Sequence, residues 1–188
     1  MIEWTLIIYK IPSEPSRYRV SLWRKLKELG AIYIQQAVCL LPAKKELLPL
    51  IQQLEADILE MTGTSYVFHT KMPDEVVENA IISKFNEERN TEYKELIEHI
   101  QHFYEDVEFE IQQKHFTFGE LEEHEGEYER IKRWLDKILA RDYFQASLRE
   151  KTQDWFKKCE PALNRFSEII LSFNEAIDKI EQEKKEIQ

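Results

Sequence analysis

Strand-like and helix-like segments alternate along this chain up to Met72, and from Pro73 onward only helical stripes remain. Residues 4–11 are rich in β-branched and aromatic side chains and read as a strand. Pro12 and Pro15 close it, and Ser16 stands where an N-cap belongs. Tyr18, Leu22, Leu26 and Leu29 then recur at steps of four, four and three, which is one face of a helix. Gly30 fits the position that ends such a helix. Residues 31–34 and 37–41 read as two short strands around Gln35-Gln36, with Pro42 behind them. Residues 44–62 return to a helical period, provided that Pro49 falls in the first turn; Gly63 ends that helix and residues 65–70 are a fourth strand.

The order β-α-β-β-α-β is the ferredoxin-like arrangement, in which one sheet face is buried under two helices. The expected fold class is therefore α+β: a ferredoxin-like domain over residues 1–72, then an acidic all-α helical bundle or antiparallel helical hairpin over residues 73–188. In the second part Tyr93, Leu96, Ile100, Phe103, Val107 and Ile111 form one helical stripe, and Tyr128, Ile131, Leu135 and Ile138 form another behind a Thr117/Glu120 capping box. Asp142 reads as a further cap. Leu163, Phe166, Ile170, Phe173, Ile177, Ile180 and Ile187 make a heptad-like seam, expected to pack against the Tyr128–Ile138 stripe.

Charge divides the chain in the same place. The net charge is −10, yet residues 1–72 hold nine Lys/Arg against seven Asp/Glu, so an anion-reading surface belongs to the first part. A basic n-region is absent from the N-terminus, no apolar run is long enough to span a bilayer, and Cys39 and Cys159 stand in no CxxC or Cys/His motif. A cytoplasmic protein without a membrane partner is expected.

Catalytic and metal motifs are missing. HExxH, Glu-x-x-His, GxSxG, the P-loop and GxGxxG do not occur, so no metal, cofactor or catalytic residue is assigned. The strongest chemical feature is the helix beginning at Arg17, which carries Arg17, Arg19, Arg24, Lys25 and Lys27. Guanidinium forks match oxyanions and phosphates, and a helix N-terminus adds amide donors. Arg17 and Arg24, seven apart, share a face; Arg19 and Trp23 lie on another. The ordinary alternative is a solvated amphipathic helix.

RYRVSLWRKLKELGAIYIQQAVCLLP resembles the N-terminal domain of the chromate-resistance regulator ChrB family, with its Arg-rich helix, Trp-Arg-x-Leu, Gly-Ala and apolar strand ending in Leu-Pro. YERIKRWLDKILARDYF resembles the family's later Arg-Trp and Ala-Arg-Asp-x-Phe element, and KKCEPALNRF fits more loosely. The resemblance implies a ferredoxin-like domain followed by helices, and a role in chromate response. Longer members carry a further C-terminal domain, for which this length has no room. The core is also similar to the small CRISPR-associated nuclease and to the dimerisation domain of PaaX-type repressors. The nuclease family places a metal-binding Asp at the end of the first strand; here Lys10 stands there, which opposes metal binding.

Two functional readings follow. In the first, a non-enzymatic regulatory or binding protein uses Arg17, Arg19 and Arg24 for an oxyanion (chromate or sulfate-like) or for DNA phosphate. Arg133, Arg141 and Asp142 then form a second polar site or a structural clamp against the first domain, and any homodimer uses the sheet domain. In the second, Glu123 and Glu127, four apart on one helix, face the basic helix in an enzyme for a small anionic substrate. A purely structural or dimerisation module is the third alternative.

Overall fold

The computed structural model describes residues 1–186. The elements run β1 (Glu3–Lys10), α1 (Arg17–Glu28), β2 (Ile32–Gln35), β3 (Val38–Pro42), α2 (Leu48–Glu60), β4 (Thr64–Lys71), α3 (Glu75–Gln113), α4 (Phe118–Arg141), α5 (Arg149–Phe156) and α6 (Cys159–Glu186). The chain is α+β. Its four strands lie in the order β2-β3-β1-β4 with antiparallel neighbours, and β1 pairs with β4 over its whole length, from Glu3 opposite Lys71 to Lys10 opposite Thr64.

Two compact units form: a sheet unit of Met1–Arg89 with Leu139–Ala146, and a helical unit of Asn90–Ile138 with the described residues from Ser147 onward. In the sheet unit, side chains alternate across the pleat, so Ile7, Cys39 and Val67 fall on one face. That face packs Leu22 and Leu26 of α1 and Ile51, Leu54 and Ile58 of α2. Each such buried aliphatic side chain contributes about 1.5–3 kcal/mol. Pro49 sits in the first turn of α2, where its missing N–H costs no helical bond. Ser16 makes no side-chain cap, contrary to expectation; its carbonyl instead accepts the Val20 N–H at 3.3 Å.

The opposite sheet face is also covered over part of its area, which the expectation of one buried face did not include. Trp4, Ile32 and Leu40 pack there against Phe85 of α3 and against Tyr143 and Phe144. Trp4 stacks on Phe85 at 5.7 Å, and its indole N–H donates to the buried Glu78 carboxylate at 3.3 Å, which also accepts the Ile2 N–H at 2.7 Å. The 139–146 segment is locked by the Asp142 carboxylate, which accepts the Ala146 N–H at 3.0 Å, and by the Tyr143 hydroxyl, which donates to the Leu29 carbonyl. Asp142 therefore caps a turn rather than α5, whose N-cap position is Leu148. Gly30 has φ +72°, and a Cβ there would lie 2.6 Å from the Arg141 Cβ. Both left-handed backbone and close approach demand glycine at this point.

In the helical unit the stripes are largely buried: Tyr93, Leu96, Ile100, Phe103 and Val107 on α3, Leu121, Ile131, Leu135 and Ile138 on α4, and Leu163, Phe166 and Ile170 on α6. His124 lies edge-on between Phe103 and Phe166, with centroids at 5.9 and 5.5 Å. The Thr117 hydroxyl accepts the Glu120 N–H at 3.2 Å, so that half of the capping box forms. The α6 seam is not buried throughout, because Phe173, Ile177 and Ile180 stay exposed. Ile187, the last member of the seam, lies outside the described residues.

Candidate anion-binding site

Helix α1 buries Leu22 and Leu26 on the sheet and turns its remaining faces outward. Lys25 hydrogen-bonds the Asp57 carboxylate of α2, and Lys27 hydrogen-bonds Glu88 at 2.6 Å. Burial pushes the Asp57 carboxyl up, but the hydrogen bonds from Lys25 and Gln53 outweigh it and hold the group below its ordinary value. The helix thus has two neutralised cations. Arg17, Arg19 and Arg24 are exposed and make no ion pair among the described residues. The Arg17 guanidinium rests 5.6 Å from the Tyr18 ring.

The three arginines do not converge. Arg17 and Arg24, two turns apart, line one open hollow of about 610 Å³ with Ser16, Ser21, Lys25 and Glu28. Arg19 lies on the other exposed face and lines a second hollow of about 640 Å³ with Trp23, Tyr9, Lys10, Tyr33 and Gln36. The Tyr18 and Val20 amides at the start of α1 are taken by the Pro15 and Ser16 carbonyls at 3.1 and 3.3 Å. Guanidinium groups, rather than these amides, are the donors available to an anion.

Beneath the second hollow, the Tyr9 and Tyr33 hydroxyls are 3.1 Å apart. The register explains the pairing: Tyr33 stands opposite Cys39, and the Tyr9 N–H donates to the Ala37 carbonyl at 3.0 Å, so both rings reach the same end of the α1-covered face. Burial raises both phenols, and the Cys39 thiol beside them is pushed up by burial to about 12. Cys159, buried in the helical unit, is pushed up to about 11 for the same reason.

The other sequence candidates separate by unit. Arg141 and Asp142 belong to the sheet unit, where they sit in the segment that closes over Gly30. Glu123, Glu127 and Arg133 belong to the helical unit. Glu123 and Arg133 are exposed, and Glu127 forms an ion pair with Arg130 one turn along the same helix. Among the described residues no group of three His, Cys, Asp or Glu side chains is placed to hold a metal ion, and no helix is long and apolar enough to cross a membrane. Sequence reasoning missed Tyr143, Tyr9 and Tyr33, and met Phe144 only as the aromatic of the Ala-Arg-Asp-x-Phe element. The tyrosines of β1 and β2 carried a signal as aromatic residues on strands that flank an Arg/Trp helix face.

These features define an α+β protein in which a basic helix packs on an antiparallel sheet and presents to solvent guanidinium groups that make no ion pair among the described residues. The chain belongs to the ChrB N-terminal family: the family model described as "Protein ChrB, N-terminal" matches residues 19–177. It is also similar to Protein ChrB of Cupriavidus metallidurans, at 29% identity over 92 residues. That alignment covers 49% of this chain and 28% of the relative, so the match spans little more than a quarter of the longer protein.

Proposed function

We propose that this protein is a non-enzymatic regulatory or binding protein linked to chromate resistance, and that it takes an oxyanion or a nucleic-acid phosphate at Arg17 and Arg24 of α1. The observation carrying this reading is that these two arginines share one hollow, are exposed, and have no carboxylate partner among the described residues although the net charge is −10. Bidentate guanidinium groups suit tetrahedral oxyanions. Glu28, at the far end of the hollow, limits the charge the site accepts. The fold in this reading is ferredoxin-like over residues 1–72, supported by the element order and by the strand order β2-β3-β1-β4. Self-association in this reading uses the sheet, where β4 is an edge strand with Tyr66 and Phe68 exposed.

Calorimetric titration of chromate, sulfate and phosphate into the wild type and into Arg17→Ala/Arg24→Ala tests the site. Loss of two charge-assisted contacts should lower affinity by about two to four orders of magnitude. A parallel titration with duplex DNA at several salt concentrations separates the two ligands, because phosphate-backbone binding weakens steeply with salt. Equal affinities for both proteins would return α1 to a solvated face.

A further inference from the structure

The hollow under Arg19 is chemically unlike the Arg17/Arg24 hollow. Its walls are aromatic, from Trp23, Tyr9 and Tyr33, and its charged lining consists of two cations, Lys10 and Arg19, with no acid. Trp23 is 51% exposed, an indole face left in water beside cations that make no ion pair among the described residues. Arg19 and Trp23 are four residues apart on α1 and so stand one above the other. Lys10 ends β1 and approaches from the sheet side. Gln36, in the β2–β3 turn, adds an amide that both donates and accepts. The volume of about 640 Å³ falls within the range of small-molecule sites.

A bare oxyanion would use the two cations and leave the exposed Trp23 ring in water, while Tyr9 and Tyr33 already pack against the sheet core. A neutral aromatic would use the rings and leave the cations unmatched. We infer that this hollow is a second, separate binding site, for a small flat aromatic compound carrying one anionic group, a carboxylate or a phosphate. The ring lies against Trp23 and the two tyrosines, and the anion meets Arg19 and Lys10. The Tyr9–Tyr33 pair contributes hydroxyls to the lining, one of which donates to the other. The site does not depend on the Arg17/Arg24 proposal, since no arginine is shared.

The test uses the full chain and two probes, indole-3-carboxylate and adenosine 5′-monophosphate, titrated by calorimetry, with adenosine and inorganic sulfate as controls. Binding of at least one probe with a Kd below about 1 mM, and weaker binding of adenosine and sulfate, supports the site. Indole-3-carboxylate alone assigns a carboxylate ligand, and the nucleotide alone assigns a phosphate ligand. Arg19→Ala and Trp23→Ala, both at exposed positions, should each lower probe affinity about 10–100-fold with an unchanged melting temperature. Arg17→Ala/Arg24→Ala should leave it unchanged. The inference is overturned if neither probe binds, if sulfate displaces the probe at equal concentration, or if affinity falls with the Arg17/Arg24 variant but not with Arg19→Ala and Trp23→Ala.

Discussion

The Tyr143 hydroxyl donates a 2.6 Å hydrogen bond to the Leu29 carbonyl, 114 residues earlier in the chain. Leu29 ends α1, so a segment that follows α4 closes the C-terminal end of the helix that carries the arginines. Lys44 adds its ammonium 4.9 Å from the Tyr143 ring. Tyr143→Phe keeps the ring and removes the donor. It should cost about 1 kcal/mol, measured by urea unfolding, with anion affinity at Arg17 and Arg24 unchanged.

Two glycine substitutions should change stability in opposite directions. Gly30→Ala meets both φ +72° and a 2.6 Å approach to Arg141, and should destabilise by about 2–3 kcal/mol. Gly126 lies within α4, and a Cβ there meets nothing within 4 Å, so Gly126→Ala should stabilise by about 0.5–1 kcal/mol. Thermal unfolding of the two variants beside the wild type reads both signs.

Asp57 links the two helices of the sheet unit through Lys25. Its native carboxyl titrates below the unfolded value of about 3.9. The contribution to stability is therefore complete above about pH 5 and lost as pH falls through the native value. Asp57→Asn should reduce stability at pH 7 by about 1 kcal/mol, and the gap to wild type should narrow as pH falls below the unfolded carboxyl value. A gap that is the same above and below that value would place the effect in packing rather than in charge.

The seam on α6 divides at Ile170. Phe166→Ala empties a fully buried site and should cost about 3–5 kcal/mol. Ile180 is 52% exposed, and Ile180→Ala should stay within about 0.5 kcal/mol of wild type by the same denaturation measurement.

Much of the local structure was legible. Leu22 and Leu26 gave the buried face of α1, and Gly30 its end, because helical period and left-handed backbone are properties of neighbouring residues. The β2–β3 connection was less so: the sequence puts Ala37 in the third strand, whereas it takes φ +62° in the turn, with no glycine to announce it. The cover provided by Tyr143 and Phe144 was hidden, since no local period records what a segment meets a hundred residues away. Phe173, Ile177 and Ile180 show the converse: periodicity defines an apolar face but not whether anything covers it. At the candidate site, the seven-residue spacing of Arg17 and Arg24 was readable, and so was the separate face of Arg19 and Trp23. The tyrosine pair beneath Trp23 depends on strand register and was not.

Cys39 and Cys159 are both buried, and burial keeps both thiols protonated at neutral pH. A disulfide-exchange reagent added to the native protein therefore reacts only when the surrounding structure opens. One thiol belongs to the sheet unit and the other to the helical unit. The rates of labelling at the two positions act as separate clocks for the opening of each unit, and they come with the natural sequence, without any engineered reporter.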